Sequence, residues 1–393
     1  MNRLEPRSRA ARVRQRMTYY RLVRRMKKWR SLADARRRIP AILSELSSTL
    51  GVEGAGRWML HWITWTGSSA LDTRYPPMGT RVAAAVGPER GPALVVKFPG
   101  AAADIRGLRR QQRAMRSIRE SPSIGDWRDL VPSLAQEGRT AGRAFFVETA
   151  LPGRCADTLI QTVPRVELLG LAARTIRGLH QGTGAGVVVD DDAFRRWVSE
   201  PLGRLRRISP AGHAGHDWSV ELVRVEEELR QALLGRAVWS SWVHGDFWLG
   251  NVLMQPESGR VTGVIDWDRA GPGELAAHDV VHLLLVARMY ARPTQCFFGD
   301  VVGSFLAGAA WTAEELRILR ETDLPFSIAD ATGHRALVLL CWIRRVLSDV
   351  DGSDSPPNEL WINRNIDGVL AHVRQSGPEL PELHPFVEAH GSS

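Results

Sequence analysis

Three oxygen-bearing side chains fall close together in one stretch of the chain. Asp246 and Asn251 lie five positions apart in Val243-His244-Gly245-Asp246-Phe247-Trp248-Leu249-Gly250-Asn251, and Asp266 follows fifteen positions later in Val264-Ile265-Asp266-Trp267-Asp268. The residues between them read as a β-hairpin: Val252-Leu253-Met254 is a short apolar strand, Gln255 to Gly259 supplies Pro, Ser and Gly for a turn, and Val261 to Ile265 returns. A hairpin brings its ends together, so Asn251 and Asp266 should lie side by side at the open end. Two hard oxygen ligands, completed by waters and phosphate oxygens, suit Mg²⁺. Asp246 would then hold a carboxylate near that metal, able to take or orient a hydroxyl proton. Such a set of groups is suited to phosphoryl transfer.

The pattern H-G-D-x-x-x-x-N followed by I-D-W resembles the catalytic segment of the aminoglycoside phosphotransferase and choline-kinase-like family. It is also similar to the H-R-D-x-x-x-x-N and D-F-G pair of protein kinases. The resemblance implies a two-lobed, protein-kinase-like α+β fold over about residues 50–375, with a small strand-rich N-lobe and a larger helical C-lobe. It implies Asp246 as catalytic base or hydroxyl-positioning group, Asn251 and Asp266 as Mg²⁺ ligands, and His244 as a structural brace of the loop. Trp267 stands where protein kinases carry Phe, which favours the small-molecule branch. ATP and Mg²⁺ are the implied cofactors. The implied acceptor is a hydroxyl of an aminoglycoside-like compound, a sugar or an amino alcohol.

The elements that must position these residues follow from local pattern. Residues 41–50 continue a helix, and strands are expected over Arg57–Trp65, Arg81–Val86 and Ala93–Phe98. Val95-Val96-Lys97-Phe98 sets a lysine in an apolar strand. That is either an edge-strand lysine facing solvent or, under the resemblance, the third-strand lysine that contacts ATP phosphates. In the next helix, Ile105–Ile118, Leu108, Met115 and Ile118 are the apolar positions. Gln111 stands where the family usually carries the glutamate that holds the lysine, so either Asp104 or Glu120 substitutes or Lys97 is held more weakly. Thr66-Gly67-Ser68-Ser69-Ala70 is the candidate phosphate-covering loop, with backbone N–H groups at Gly67 and Ser68 available to phosphate. Gly142–Glu148 is a further strand, and Glu148-Thr149-Ala150-Leu151-Pro152-Gly153 looks like the hinge. Backbone groups at Glu148 and Ala150 would meet the adenine edge there.

The C-terminal part reads as mainly helical. Val166–His180 has a broad apolar face, with His180 as a buried structural histidine. Asp190-Asp191-Asp192 precedes a helix over Phe194–Ile208 and reads as a solvated loop or as a contact for a cationic substrate or a metal. Ala270-Gly271-Pro272-Gly273-Glu274 turns the chain into a helix opened by His278-Asp279, and the resemblance implies that Asp279 holds the catalytic loop from below. Helices are expected at about 297–309, 312–321, 327–349 and 358–375. Glu359 and Asp367 are further candidate acidic contacts.

Composition narrows the setting. A chain of 393 residues suggests two or three domains, read here as an extension over 1–45, an N-lobe over 46–150 and a C-lobe over 151–393. No run approaches the ~20 apolar residues of a membrane span, and the start lacks the apolar core of a secretory signal. Cys155, Cys296 and Cys341 show neither metal nor disulfide spacing. A reducing cytoplasm is the expected location. The formal charge of +9 belongs to the N-terminus: residues 1–40 carry fifteen Lys or Arg against Glu5 and Asp34, which leaves the remainder at −4. Within that extension Tyr19, Leu22, Val23, Met26 and Trp29 recur at helical spacing among basic residues. Residues 17–30 could adsorb peripherally to an anionic membrane surface or pack their apolar stripe on the body. No recognition motif accompanies the charge, which argues against nucleic acid. Two other functions stay open beside the kinase reading: a catalytically weak binding module of pseudokinase type, and a membrane-associated accessory protein acting through this helix. Removing residues 1–40 should leave nucleotide binding in place if the body is the catalytic part.

Overall fold

A computed structural model describes residues 32–45, 59–66, 81–89, 93–208, 217–292, 296–322, 331–353 and 356–376. The basic stretch 17–30 and the loop residues Gly67 and Ser68 lie outside the described residues. The chain forms two compact units. The first comprises Met1–Ala185, Ser240–Asp279 and Ser348–Pro356, and the second comprises Gly186–Trp239, Val280–Leu347 and Pro357–Ser393. This division differs from a boundary at residue 150, because the chain returns to the first unit with the hairpin that carries Asn251 and Asp266.

The first unit is built on a five-stranded antiparallel sheet of order β1-β2-β3-β5-β4. Its strands are β1 (Met59–Thr66), β2 (Arg81–Gly87), β3 (Leu94–Phe98), β4 (Leu134–Thr140) and β5 (Arg143–Thr149). Strand alternation sends Val82, Ala84, Val86, Leu94, Val96, Phe98, Phe145 and Val147 into one core. A helix over residues 32–45 (α1) covers that face with Ala35, Ile39 and Ile42, spaced as one stripe of a helix should be. Arg38 of α1 crosses the sheet edge: its guanidinium donates to the Arg143 and Ala144 carbonyls at 3.0 and 3.1 Å and lies 4.9 Å over the Phe98 ring. Part of the presumed extension is therefore core, and a cut at residue 40 would remove Ala35 and Ile39 from it.

Period two then decides where Lys97 goes. With Val96 and Phe98 in the α1 core, Val95 and Lys97 face the other side, opposite Glu148 and Phe146 of β5. The facing positions on β2 are Ala85 and Ala83, whose small side chains leave room for the lysine. Helix α2 (Ala102–Glu120) follows β3 and buries Leu108, Gln111, Met115 and Ile118. At its first turn the Asp104 carboxylate accepts from the Gly100 and Ala101 amides at 3.0 and 3.1 Å, a helix-start contact.

Four strands were not expected, among them the short Arg154–Cys155 and Ala185–Val188. In β4 the residues alternate between half-buried and exposed, and the polar run Gln136-Glu137-Gly138-Arg139 gives an edge strand the appearance of a loop. The segment expected to be a turn, Ala270–Glu274, includes most of a strand, Gly271–Leu275, which pairs with Ala237–Val243 across a register shift between Gly271 and Glu274. Pro and Gly are tolerated there because a bulged edge needs fewer ladder donors.

The first unit also carries the site segment and helix Arg165–Thr183 (α3), whose buried face includes Leu168, Leu169, Ala172, Ala173, Ile176 and Leu179. The second unit is mainly helical, including Ser219–Leu233, Phe298–Leu306, Ala313–Glu321 and Gly368–Ser376. Among the described residues no helix is long and apolar enough to cross a membrane. Ile42 is fully buried between α1 and the sheet. Ile42→Ala should cost about 3 kcal/mol, seen as a lower urea midpoint with an unchanged slope.

Candidate active site

The site segment runs from strand Ala237–Val243 through the loop at His244–Trp248 and a 3-10 turn Leu249–Asn251 into the hairpin Val252–Met254 and Val261–Val264. The loop is held by one buried carboxylate. Asp279 accepts from the His244 and Gly245 amides at 2.8 and 2.9 Å and from His180 Nε2 of α3 at 3.0 Å. Gly245 has φ +78°, which a side chain would resist. A Cβ at Gly250 would come within 2.3 Å of the Trp248 ring, so a side chain there would have to displace that ring. Burial alone would raise the Asp279 carboxyl. The His180 hydrogen bond and charge, the nearby His244 and the His244 amide outweigh it and hold the group at about 2.

His244 links the loop to the far end of the hairpin. Its Nε2 donates to the Ile265 carbonyl at 2.8 Å, and its Nδ1 accepts the Asp246 amide at 3.3 Å. The ring lies 4.6 Å from Trp267, which meets Trp127 edge-on at 6.0 Å. Trp267 is fixed by donating to the Val264 carbonyl at 2.8 Å. This buried aromatic column supports the residue just before it, Asp266.

The hairpin register brings the two candidate metal ligands together. Val252 pairs with Val264, and the Ile265 amide donates to the Asn251 carbonyl at 2.9 Å. Asn251 Nδ2 donates to the Asp246 carbonyl at 2.9 Å, which commits the amide nitrogen and makes Oδ1 the atom able to meet a cation. Asp266 adopts φ 64° and ψ 60°, a left-handed conformation that costs a non-glycine residue energy and marks positions where geometry matters. Among the described residues no cluster of three or more His, Cys, Asp or Glu side chains is placed to hold a metal. The donor set fits Mg²⁺, which binds one or two protein oxygens and takes its remaining ligands from water and phosphate.

Lys97 meets this constellation from the sheet. Its Nζ lies 2.9 Å from Asp266 Oδ1 and 2.9 Å from Glu148 Oε1. Burial would lower the ammonium, but Asp266 and Glu148 together raise it above the ordinary lysine range. Glu148 itself is pushed up by burial, against the pull of Lys97. Lys97 is thus neither an edge residue nor paired through Asp104 or Glu120. The counter-charge comes from β5, and Gln111 Nε2 donates to Glu148 Oε2 at 2.5 Å. Glu148 was expected to matter through its backbone, yet its side chain carries the contact. The Ala150 amide, expected at the adenine edge, donates instead to the Ala93 carbonyl at 2.9 Å.

Arg269 was not foreseen. It is largely buried and pairs with Asp349 at 2.8 Å. Despite burial its guanidinium is held further in the charged form by Asp246, then Asp349 and Asp268. Arg269 thus brings a fixed positive charge to the neighbourhood of Asp246. Nothing in the sequence pairs residues 80 positions apart. A signal for Lys97 did exist: the chain has three lysines, Lys27, Lys28 and Lys97, while its other basic side chains are arginine or histidine. A compact ammonium is kept where the fold otherwise uses guanidinium. The acidic cluster has local duties instead. Asp190 caps its helix by accepting from Ala193, while Asp191 and Asp192 pair with Arg230 and Arg195. Asp367 accepts from Trp218 Nε1 at 2.8 Å.

Comparison with known proteins places the chain in a family. Residues 81–319 match the model of the phosphotransferase enzyme family. The chain belongs to the phosphotransferase enzyme family. The fold is accordingly the kinase-like α+β fold, and the protein is a phosphotransferase. Similar solved structures include the aminoglycoside phosphotransferase APH(3'')-Id from Streptomyces rimosus, at 19% identity and TM-score 0.36, covering 74% of this chain and 98% of that one. The GDP and kanamycin complex of APH(2")-IIIa is 13% identical with TM-score 0.48, covering 81% and 95%. The macrolide 2'-phosphotransferase MphH from Brachybacterium faecium is 17% identical with TM-score 0.37, covering 82% and 99%. These similarities are too low to transfer a substrate. No curated protein matches the chain.

The lowered Asp279 carboxyl makes a pH prediction. A group whose pKa falls on folding stabilises above its unfolded value of about 3.9 and loses that contribution as pH drops through the folded one. The stability gap between wild type and Asp279→Asn, measured by urea unfolding, should be full above about pH 4 and close as pH falls towards 2.

Proposed function

We propose that this phosphotransferase is an ATP- and Mg²⁺-dependent O-kinase of a small hydroxyl-bearing molecule. The observation that carries the reading is the meeting of Asp246, Asn251, Asp266 and Lys97 within one loop, one hairpin and one strand. Mg²⁺ held by Asn251 Oδ1 and the Asp266 carboxylate would neutralise charge on the phosphates and orient them. Lys97 adds a second fixed cation, which favours the charge that develops on the transferred group. Asp246 would orient the acceptor hydroxyl and receive its proton as the new oxygen–phosphorus bond forms and the bond from the γ-phosphorus to the leaving ADP oxygen breaks. Arg269 adds a fixed positive charge to the neighbourhood of that carboxylate. Such catalysis is mostly positioning, and the hydrogen bonds of Asp279 and His244 supply it through the loop backbone.

The acceptor class is proposed as an aminoglycoside-like compound, a sugar or an amino alcohol, on the family's resemblance alone. The weak-binding-module reading rested on Gln111 and on the glycine-poor loop at 66–70; the Glu148 carboxylate supplies the charge that Gln111 lacks, while Gly67 and Ser68 lie outside the described residues. A thermal shift assay tests the nucleotide site. Mg·ATP at ~100 times its dissociation constant should stabilise wild type by about 2.7 kcal/mol, and Asp266→Ala should lose the Mg²⁺-dependent part. Asp246→Asn should keep nucleotide binding within a few-fold while transfer to an accepted hydroxyl falls roughly 10²-fold or more. A wild type that shows no Mg²⁺-dependent shift would refute the proposal, as would an Asp246→Asn variant with undiminished transfer.

A further inference from the structure

Lys97 is shared by two carboxylates of different character. Glu148 lies on a strand inside the sheet with its side chain 8% exposed, whereas Asp266 lies on a strained turn at 27%. If Asp266 is the metal ligand, as the proposed function holds, it cannot keep the lysine and bind the metal with the same oxygen. A lysine with Asp266 as its sole partner would then be left as a buried charge, at large cost. Glu148 removes that cost because its contact does not involve the metal site.

We propose that Glu148 and Gln111 form a positioning unit that retains Lys97 at the phosphate site while Asp266 passes from lysine to metal. Each Glu148 oxygen has its own donor: Oε1 faces Lys97 Nζ at 2.9 Å, and Oε2 accepts from Gln111 Nε2 at 2.5 Å. The two donors fix the rotation of the carboxylate. The strand pairing Val95↔Glu148 fixes its distance from β3, so sheet register rather than helix packing sets the lysine contact. The pair also explains why residue 111 is neutral. A carboxylate there would stand against the one at 148 at hydrogen-bond distance, and two like charges so placed repel. The charge therefore sits on the strand or on the helix, but not on both. Gln111 records a relocation of the counter-charge rather than its loss.

A reciprocal exchange tests this. In Glu148→Gln, Lys97 should remain on Asp266 and compete with the metal, so the Mg²⁺ concentration giving half-maximal nucleotide binding should rise roughly 10–100-fold, the range seen when groups supporting metal ligands are removed. Gln111→Glu alone should lower the melting temperature of the metal-free protein. Gln111→Glu combined with Glu148→Gln should recover both the melting temperature and most of the Mg²⁺ affinity. Gln111→Met, which frees one Glu148 oxygen without touching charge, should give a smaller Mg²⁺ shift and remain available if the charge variants fail to fold. Wild-type Mg²⁺ dependence in both Glu148→Gln and Gln111→Met would overturn the proposal. So would an exchange variant no better than Glu148→Gln. The melting temperatures of the metal-free variants judge the coupling by themselves. A wild type that bound no nucleotide would refute the proposed function, while absent thermal coupling would refute the positioning unit.

Discussion

A carboxylate with no access to water holds the centre of this protein in shape. Asp279 stands at the start of a helix, yet its oxygens are spent on the backbone of a loop 34 and 35 residues earlier and on a histidine 99 residues earlier. A buried carboxylate without donors would be expelled or protonated. With three donors it becomes a rigid point to which strand, loop and helix are tied. The position of Asp246 follows from that point, because Gly245 and His244 precede it directly and both amides are taken.

From there the constraints pass outward in a definite order. His244 joins the loop to Ile265, the hairpin register sets Asn251 beside Asp266, and Trp267 wedges the turn against Trp127. The sheet adds Lys97 by alternation alone. Because Val96 and Phe98 are buried beneath α1, the residue between them must face away. A single-residue slip of β3 would turn the lysine into the apolar core, so the α1 face acts on the site through the sheet.

The sequence was most legible where chemistry and local pattern coincide. The hairpin between Asn251 and Asp266 was readable because an apolar triplet, Val252-Leu253-Met254, and a return ending in Val264-Ile265 flank a Pro-Glu-Ser-Gly turn. Lys97 stood out as a charge in an apolar strand. What escaped reading depended on distance in the chain or on context. Arg269 meets Asp349 across 80 residues, and no local pattern announces such a pair. Glu148 looked like a hinge position because the facing of its side chain depends on β3–β5 register, which a single strand does not reveal. β4 was missed because an exposed edge strand has no need of apolar residues. The N-terminal boundary was misplaced because the same basic composition runs from the extension into α1, while the apolar stripe that distinguishes α1 matters only once the sheet is present.

The seat of the lysine's counter-charge bears on control. In kinases that place it on the mobile helix, swinging that helix away disconnects the lysine and turns the enzyme off. Here the anion is built into the sheet beside the lysine, and α2 contributes only a neutral amide. A displacement of α2 would loosen Glu148 without separating the opposite charges. The lysine and its counter-charge share one sheet, so their distance is set by strand pairing and not by where α2 sits.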